Sequence, residues 1–273
     1  MIQPLLPDPP FEFRAGTAPL LVSMPHVGTQ LPPRMKGRLS AACEPLGDTD
    51  WHLPRLYDFV APLGASTLVA RFTRFCVDLN RPPDDAPLYA TATTGLHPDI
   101  LFDGTPAFLE GRGLTRDERG AFLAEAWIPY HAKLGAELER IRGEHGYALL
   151  FDAHSIASVI PRLFDGRLPD FNIGTADGHS AGPALTEALA DVVRSASRYS
   201  LAVNGRFKGG YITRHYGNPE RGIHAVQLEL AQRTYMRESA PYDYLPERAE
   251  EVRPVLRRFI ETMLGTDPLS LKT

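Results

Sequence analysis

The sequence has few of the features that mark secreted, membrane-bound or nucleic-acid-binding proteins. It holds only two cysteines, Cys43 and Cys76, in 273 residues, so we expect no disulfide framework and a reducing cytoplasm. No segment approaches the roughly 18 consecutive apolar residues of a membrane span, and the proline-rich start does not resemble a signal peptide. There is no long basic run, and the formal net charge is −4. Nucleic acid and membranes are therefore not expected as partners.

What the sequence does contain indicates one α/β domain over residues 1–273. Apolar strand-like segments alternate with amphipathic helix-like segments, which favours a mixed, mostly parallel sheet with helices on both faces. The predicted strands are 19–24, 66–72, 75–79, 147–151, 200–203 and 225–230, and the predicted helices are 50–60, 115–142, 183–197 and 246–264. Thr115 and Glu118 predict a capping box at the start of the second helix. The long connections 81–113 and 161–182 are expected to be binding loops or lids.

Two segments far apart in the chain each bring a histidine to the end of a predicted strand. Open α/β sheets bind ligands at the carboxyl ends of their strands, so His26 and His154 are expected to meet there and suggest a metal site. Catalytic zinc typically has three protein ligands. We favour Asp50 as the third, with Asp48 and His52 as alternatives, although Asp48 can instead cap a helix. The alternative to a metal site is two unrelated, hydrogen-bonded histidines.

Two further segments indicate a binding site for an anion. The predicted strand 75–79 runs into Asn80 and Arg81, which suit the recognition of a carboxylate. The alternative is a surface ion pair between Asp78 and Arg81. Residues 204–217 hold three cations and four glycines and are expected to cover the substrate, or else to form a solvated hairpin.

Glu229 stands in a predicted strand where a carboxylate is unusual. The alternation of residues 226–230 places Gln227 and Glu229 on one face of that strand, and glutamate is depleted in strands. If this face borders the metal, Glu229 can take a proton from metal-bound water. The alternative is a solvated strand face.

Two competing functions also follow from the sequence. Residues 178–182 match the G-x-S-x-G nucleophile elbow, in which Ser180 would make the protein a serine hydrolase. Residues 174–177 break the strand that this elbow requires, and the downstream histidines lack a suitably placed acid. The second alternative is a non-catalytic, metal-dependent protein that binds small acidic ligands.

Taken together, six segments resemble the N-formylglutamate deformylase family, also called N-formylglutamate amidohydrolases. They are 23–29, 48–52, 77–83, 152–156, 204–217 and 227–232, and the resemblance runs in order from about residue 20 to about residue 235. It implies a fold similar to zinc carboxypeptidases, a zinc ion or another divalent transition metal, and hydrolysis of N-formyl-L-glutamate to formate and L-glutamate in histidine degradation. Another N-acyl amino acid or a C-terminal peptide bond is the alternative substrate.

The same resemblance implies roles for individual residues. His26 and His154 correspond to metal ligands, Asn80 and Arg81 to substrate binders, and Glu229 to the catalytic base. One departure concerns the second ligand, because the carboxypeptidase pattern H-x-x-E has Thr29 at its last position here. That ligand is therefore expected from Asp48 or Asp50.

The glycine-rich segment is expected to contribute two further residues to the same site. Arg214 would help Arg81 to hold the two carboxylates of a small dicarboxylate substrate, and Tyr211 would donate a hydrogen bond to the oxyanion. The sequence leaves open the native metal, the size of the acyl group and the oligomeric state.

Overall fold

The computed structural model describes residues 5–88 and 93–266. Its centre is a seven-stranded sheet with the order β1-β3-β2-β4-β7-β5-β6. The strands are β1 Phe11–Arg14, β2 Leu20–Met24, β3 Ser66–Ala70, β4 Ala148–Ile156, β5 Phe171–Gly174, β6 Leu201–Val203 and β7 Ile223–Ala231. Four of the six strand pairings are parallel, and the antiparallel ones join β1 to β3 and β5 to β7. The predicted mixed, mostly parallel sheet is confirmed.

Helices cover both faces of this sheet. They are α1 Leu53–Leu56, α2 Arg116–Phe122, α3 Ile128–His145, α4 Pro183–Ser195, α5 Tyr211–Tyr216 and α6 Pro246–Gly265, and a π-helical turn, Leu123–Trp127, joins α2 to α3. Apolar side chains of α3 pack into the core on one face, and those of α4 and α6 pack into the core on the other. The predicted capping box of Thr115 and Glu118 is present at the start of α2.

Several predicted elements differ from the structure. The prediction of a strand at 75–79 is wrong. Residues 74–79 form a buried, irregular turn, and the side chain of Arg74 forms an ion pair with that of Asp78. The predicted helix 50–60 shortens to the single turn of α1. Strand β4 continues to Ile156, so His154 lies inside the strand and not after it. The sequence reasoning missed β1, β5 and α5, the last two within predicted loops.

The carboxyl-terminal parts of the central strands bring polar side chains to one edge of the sheet. His26 follows β2 by two residues. In the parallel pairing of β4 with β7, Asp152 lies opposite Gln227 and His154 lies opposite Glu229. Both strands are buried along their whole length, so these polar groups are held inside the protein. Among the described residues, no helix is both long and apolar enough to cross a membrane.

Candidate metal centre and substrate cavity

A cavity opens at this edge of the sheet. It encloses about 570 Å³ of empty space, part of it open to solvent. Its lining combines three kinds of side chain, namely metal-ligating or acidic groups, three arginines and a few apolar residues. The main members are His26, Asp50, His154 and Glu229, then Arg74, Arg81 and Arg206, and finally Phe102, Leu163 and Phe207.

Three buried side chains in this cavity could hold a metal ion. His26, Asp50 and His154 each offer one ligand atom, and these atoms all lie within 4.8 Å of one another. The Nδ1 atoms of His154 and His26 lie 3.1 Å and 3.9 Å from Oδ2 of Asp50. The backbone N–H of Asp50 donates to the carbonyl oxygen of His26 at 3.0 Å, which ties the two segments together. The structure thus brings together the three residues that we favoured as ligands.

A second carboxylate orients each imidazole of this group. Nε2 of His26 donates to Oδ1 of Asp78 at 2.7 Å, and Nε2 of His154 lies 3.0 Å from Oδ2 of Asp152. With Nε2 held by these carboxylates, Nδ1 of each ring faces Asp50. Carboxylates placed in this way fix the tautomer and the orientation of metal-binding histidines.

The charges around the group favour a cation. Burial lowers the pKa of His154, but Asp152 and Asp50 outweigh burial and raise this pKa well above its usual value. The pKa of His26 is instead lowered by burial and by Arg74, with Asp78 acting in the opposite direction. The site therefore stabilises positive charge between Asp50 and His154. Two imidazoles and one carboxylate form a donor set that fits zinc or a similar divalent transition metal.

The two alternative third ligands lie elsewhere. Oδ2 of Asp48 accepts a hydrogen bond from the backbone N–H of Phe102 at 2.7 Å, and burial raises the pKa of Asp48 to about 6. Nε2 of His52 lies 2.7 Å from the carbonyl oxygen of Tyr242. Neither side chain belongs to the group formed with His26 and His154.

Glu229 lines the cavity from β7. Its side chain is buried, and burial raises its pKa to about 8, with His154 lowering it and Asp50 raising it. Nε2 of Gln227 lies 3.4 Å from Oε2 of Glu229. Oε1 of Gln227 accepts a hydrogen bond from the backbone N–H of Gly210 at 2.7 Å. A carboxyl group that titrates near neutrality beside a candidate metal group is suited to transfer protons.

Asn80 and Arg81 also line the cavity. The guanidinium of Arg81 donates to the Thr94 carbonyl at 2.8 Å and to the Thr93 hydroxyl at 3.0 Å. Because these acceptors are neutral, the positive charge of Arg81 can still attract an anion. Nδ2 of Asn80 lies 2.9 Å from Nε2 of His154, so the amide touches the candidate metal group.

The glycine-rich segment 204–217 contributes a different cation from the one expected. Arg214 and Tyr211 are not among the residues that line the cavity, because the segment folds into α5, where Arg214 is exposed and its Nε donates to the carbonyl of Gly209 at 2.8 Å. The ring of Tyr211 stacks on His215 at 4.8 Å. Arg206 of the same segment lines the cavity instead.

Sequence reasoning missed two of the arginines in the cavity. Arg206 could have been found, since it belongs to the cationic segment that we expected to cover the substrate. Arg74 lies just before the predicted strand 75–79 and close in sequence to the expected anion site at Asn80 and Arg81, but no role was assigned to it. Its guanidinium forms a buried ion pair with Asp78 and lies 4.6 Å from the ring centre of Phe102.

Ser180 is not placed to act as a nucleophile. It is 1 % exposed, its hydroxyl donates to the carbonyl of Ala225 at 2.8 Å, and it does not line the cavity. A 3-10 turn, Ala176–Gly178, takes the place of the strand that a nucleophile elbow requires.

Comparison with known proteins identifies the relatives of this chain. A model of the N-formylglutamate amidohydrolase family matches residues 18–236. The chain is 57 % identical to the N-formylglutamate deformylase of Pseudomonas aeruginosa over 258 residues, which cover 94 % of this chain and 97 % of the relative. It is 52 % identical to the N-formylglutamate deformylase of Pseudomonas putida, with the same coverage of both chains.

Two solved structures share the fold. An N-formylglutamate amidohydrolase from Ralstonia eutropha superimposes with a TM-score of 0.80 at 24 % identity, covering 95 % of this chain and 100 % of that one. A gene product of Agrobacterium tumefaciens superimposes with a TM-score of 0.69 at 18 % identity, covering 94 % and 96 % of the two chains. On the family match and the curated relatives, this chain belongs to the N-formylglutamate amidohydrolase family.

Proposed function

We propose that this protein hydrolyses N-formyl-L-glutamate to formate and L-glutamate, using a divalent metal held by His26, Asp50 and His154. The observation that carries the proposal is the meeting of this candidate metal group, a buried carboxyl group and several arginines in one cavity. The curated relatives, at 57 % and 52 % identity, are named for the deformylation of N-formylglutamate.

The donor set suits a catalytic metal. Two histidines and one carboxylate leave an open coordination position, as catalytic zinc sites do, and other divalent transition metals accept the same ligands. When bound, such an ion lowers the pKa of water toward about 7 and polarises the formyl oxygen. Asp78 and Asp152 keep the two imidazoles oriented through their Nε2 atoms.

Glu229 is the proposed base. It accepts a proton from the attacking water and then gives that proton to the nitrogen of the departing glutamate. The burial that raises its pKa to about 8 also strengthens it as a base, so that it can hold the proton between these two steps.

Arg81 and Arg206 are the proposed partners of the two substrate carboxylates. They come from separate segments of the cavity wall, and charge-assisted hydrogen bonds from arginine suit carboxylates. Asn80 supplies an amide on the same wall as Arg81. We exclude Arg74 from this role because its charge is compensated by Asp78, and we do not assign Arg214 or Tyr211 because neither lines the cavity.

The other expectations from the sequence stay proposals. A reducing cytoplasmic location accords with Cys43 and Cys76, which are both free and buried. The substrate is proposed to be a small dicarboxylate.

The proposal is tested with purified protein and three substrates, N-formyl-L-glutamate, N-formyl-L-alanine and N-acetyl-L-glutamate. We expect the first to be hydrolysed with the highest kcat/KM, and the Ser180→Ala variant to keep this activity. Loss of activity in Ser180→Ala would favour a serine hydrolase. Preference for the acetyl compound would indicate a different N-acyl amino acid, and binding without turnover would indicate a binding protein.

A further inference from the structure

The turn that carries Asn80 and Arg81 is supported from outside the cavity. This segment, residues 79–81, belongs to no helix or strand, so its peptide groups need partners from other parts of the chain. Nε2 of His131 donates to the carbonyl of Leu79 at 2.9 Å. The indole Nε1 of Trp127 donates to the carbonyl of Arg81, also at 2.9 Å. Two side chains thus hold the carbonyls at the two ends of the turn.

These two donors come from one helical segment with an unusual turn. Trp127 ends the π-helical turn that joins α2 to α3, and His131 follows it in α3. Their rings stack with centres 3.8 Å apart, and both side chains are buried. π-Helical turns of this kind are frequent at functional sites. The two donors therefore stand side by side behind the turn.

Helix α5 completes the support. The backbone N–H of Ile212 donates to Oδ1 of Asn80 at 2.8 Å. The hydroxyl of Tyr216 lies 3.0 Å from Nδ1 of His131. Burial lowers the pKa of His131 to about 4, so the neutral ring donates through Nε2 and accepts through Nδ1. The turn is therefore fixed between α3 and α5.

We propose that Trp127 and His131 are positioning residues, which set the direction in which Arg81 presents its guanidinium to a substrate carboxylate. Neither residue lines the cavity, so any effect on the substrate passes through the turn. Nη1 of Arg81 donates to the carbonyl of Asn80 at 3.0 Å, which couples the guanidinium to the shape of the backbone. The inference rests on the proposed role of Arg81 in substrate binding.

A double-mutant cycle with Trp127→Phe and Arg81→Ala tests this inference. Phenylalanine keeps an aromatic ring but removes the N–H donor. With N-formyl-L-glutamate, we expect Trp127→Phe to raise KM about tenfold with kcat nearly unchanged, because carboxylate binding contributes equally to the ground and transition states. The double variant should have a KM no higher than that of Arg81→Ala, because Trp127 acts only through Arg81.

Two further variants separate positioning from general stability. Ser180→Ala removes another buried bond from a side chain to a backbone carbonyl, so it should lower Tm without changing KM. His131→Gln keeps an N–H donor, so its KM should lie between those of the wild type and His131→Leu.

Each contrary outcome has a distinct meaning. An unchanged KM in Trp127→Phe, beside a raised KM in Arg81→Ala, would overturn this inference alone. KM effects that multiply in the double variant would show that Trp127 acts independently of Arg81 and would also overturn it. An unchanged KM in Arg81→Ala would overturn the proposed role of Arg81 itself, and this inference with it.

Discussion

Replacing Glu229 with glutamine removes the proposed base with almost no change in shape. Glu229 is 8 % exposed and lies opposite His154 in the pairing of β4 with β7. Glutamine can fill the same space, but its amide cannot accept a proton from water. The arginines that we propose as substrate binders stay in place. The variant should therefore keep its affinity for substrate while losing turnover.

The expected loss of turnover in Glu229→Gln follows from the role of Glu229 as a general base. General-base catalysis typically contributes between about 10² and about 10⁴ in rate, so we expect kcat to fall about a thousandfold, equivalent to about 4 kcal/mol of transition-state stabilisation. KM should change by less than about threefold, because the interaction that is lost acts in the transition state.

The pH dependence provides a second signature of Glu229. Burial raises its pKa from 4.5 to about 8, and a bound cation would lower it again. The base works only when deprotonated, so a raised pKa keeps the inactive, protonated form present to higher pH. The kcat/KM of the wild type should therefore rise with pH at some point between 4.5 and about 8. Glu229→Gln should lack this rise.

Formate release measured across this pH range tests both expectations. Glu137→Gln is a matched control, because Glu137 is also a buried carboxylate but pairs with Arg140 and Ser66 away from the cavity. The control should keep its kcat. The reasoning would be refuted if Glu229→Gln kept kcat within about tenfold of the wild type, since a general base contributes more than that, or if it kept the same pH profile.

Three further predictions concern the metal, the substrate and the fold. Asp50→Asn should bind zinc at least about tenfold more weakly, as measured by metal analysis after equilibrium dialysis, and unchanged zinc content would contradict its role as a ligand. Arg206→Gln should raise KM about tenfold to about a hundredfold, the value of a charge-assisted hydrogen bond, whereas Arg214→Gln should not, and equal effects would count against the assignment of Arg206. The hydrogen bond from Arg38 lowers the pKa of Glu118 from 4.5 to about 2. The stabilisation that this hydrogen bond gives the folded state is therefore present above pH 4.5 and is lost as the pH falls toward about 2. Thermal melts of Glu118→Gln should accordingly show a smaller loss of Tm over this range than the wild type, and parallel curves would contradict the linkage.

The central strands were predictable because of their burial. Strands β2 and β4 are buried along their length, and strands covered on both faces are marked by nearly continuous apolar runs such as 20–24 and 147–151. Strand β7 is equally buried but was recognised from the alternation of apolar and polar residues at 226–230. The same reasoning failed at residues 75–79, because an apolar run indicates burial but does not distinguish a strand from a buried turn. Strands β1 and β5 were missed because β1 lies in the proline-rich start of the chain and β5 lies within the predicted loop 161–182.

The site was predictable where its residues lie on or next to those strands. His26, His154 and Glu229 reach the cavity because parallel strands present their carboxyl ends at one edge of the sheet. The placement of Arg206 and Arg214 depends on where α5 begins, and the glycine-rich sequence did not reveal that helix. The support from Trp127 depends on a π-helical turn, which has no signature in the sequence pattern.

The central claim is that a metal held in this cavity hydrolyses N-formyl-L-glutamate. The most direct test measures glutamate release from this substrate by the purified protein, after treatment with a chelator and again after zinc is added back. The account predicts that activity disappears with the chelator and returns with the metal. Full activity that persists after all metal has been removed, as verified by elemental analysis, would contradict it.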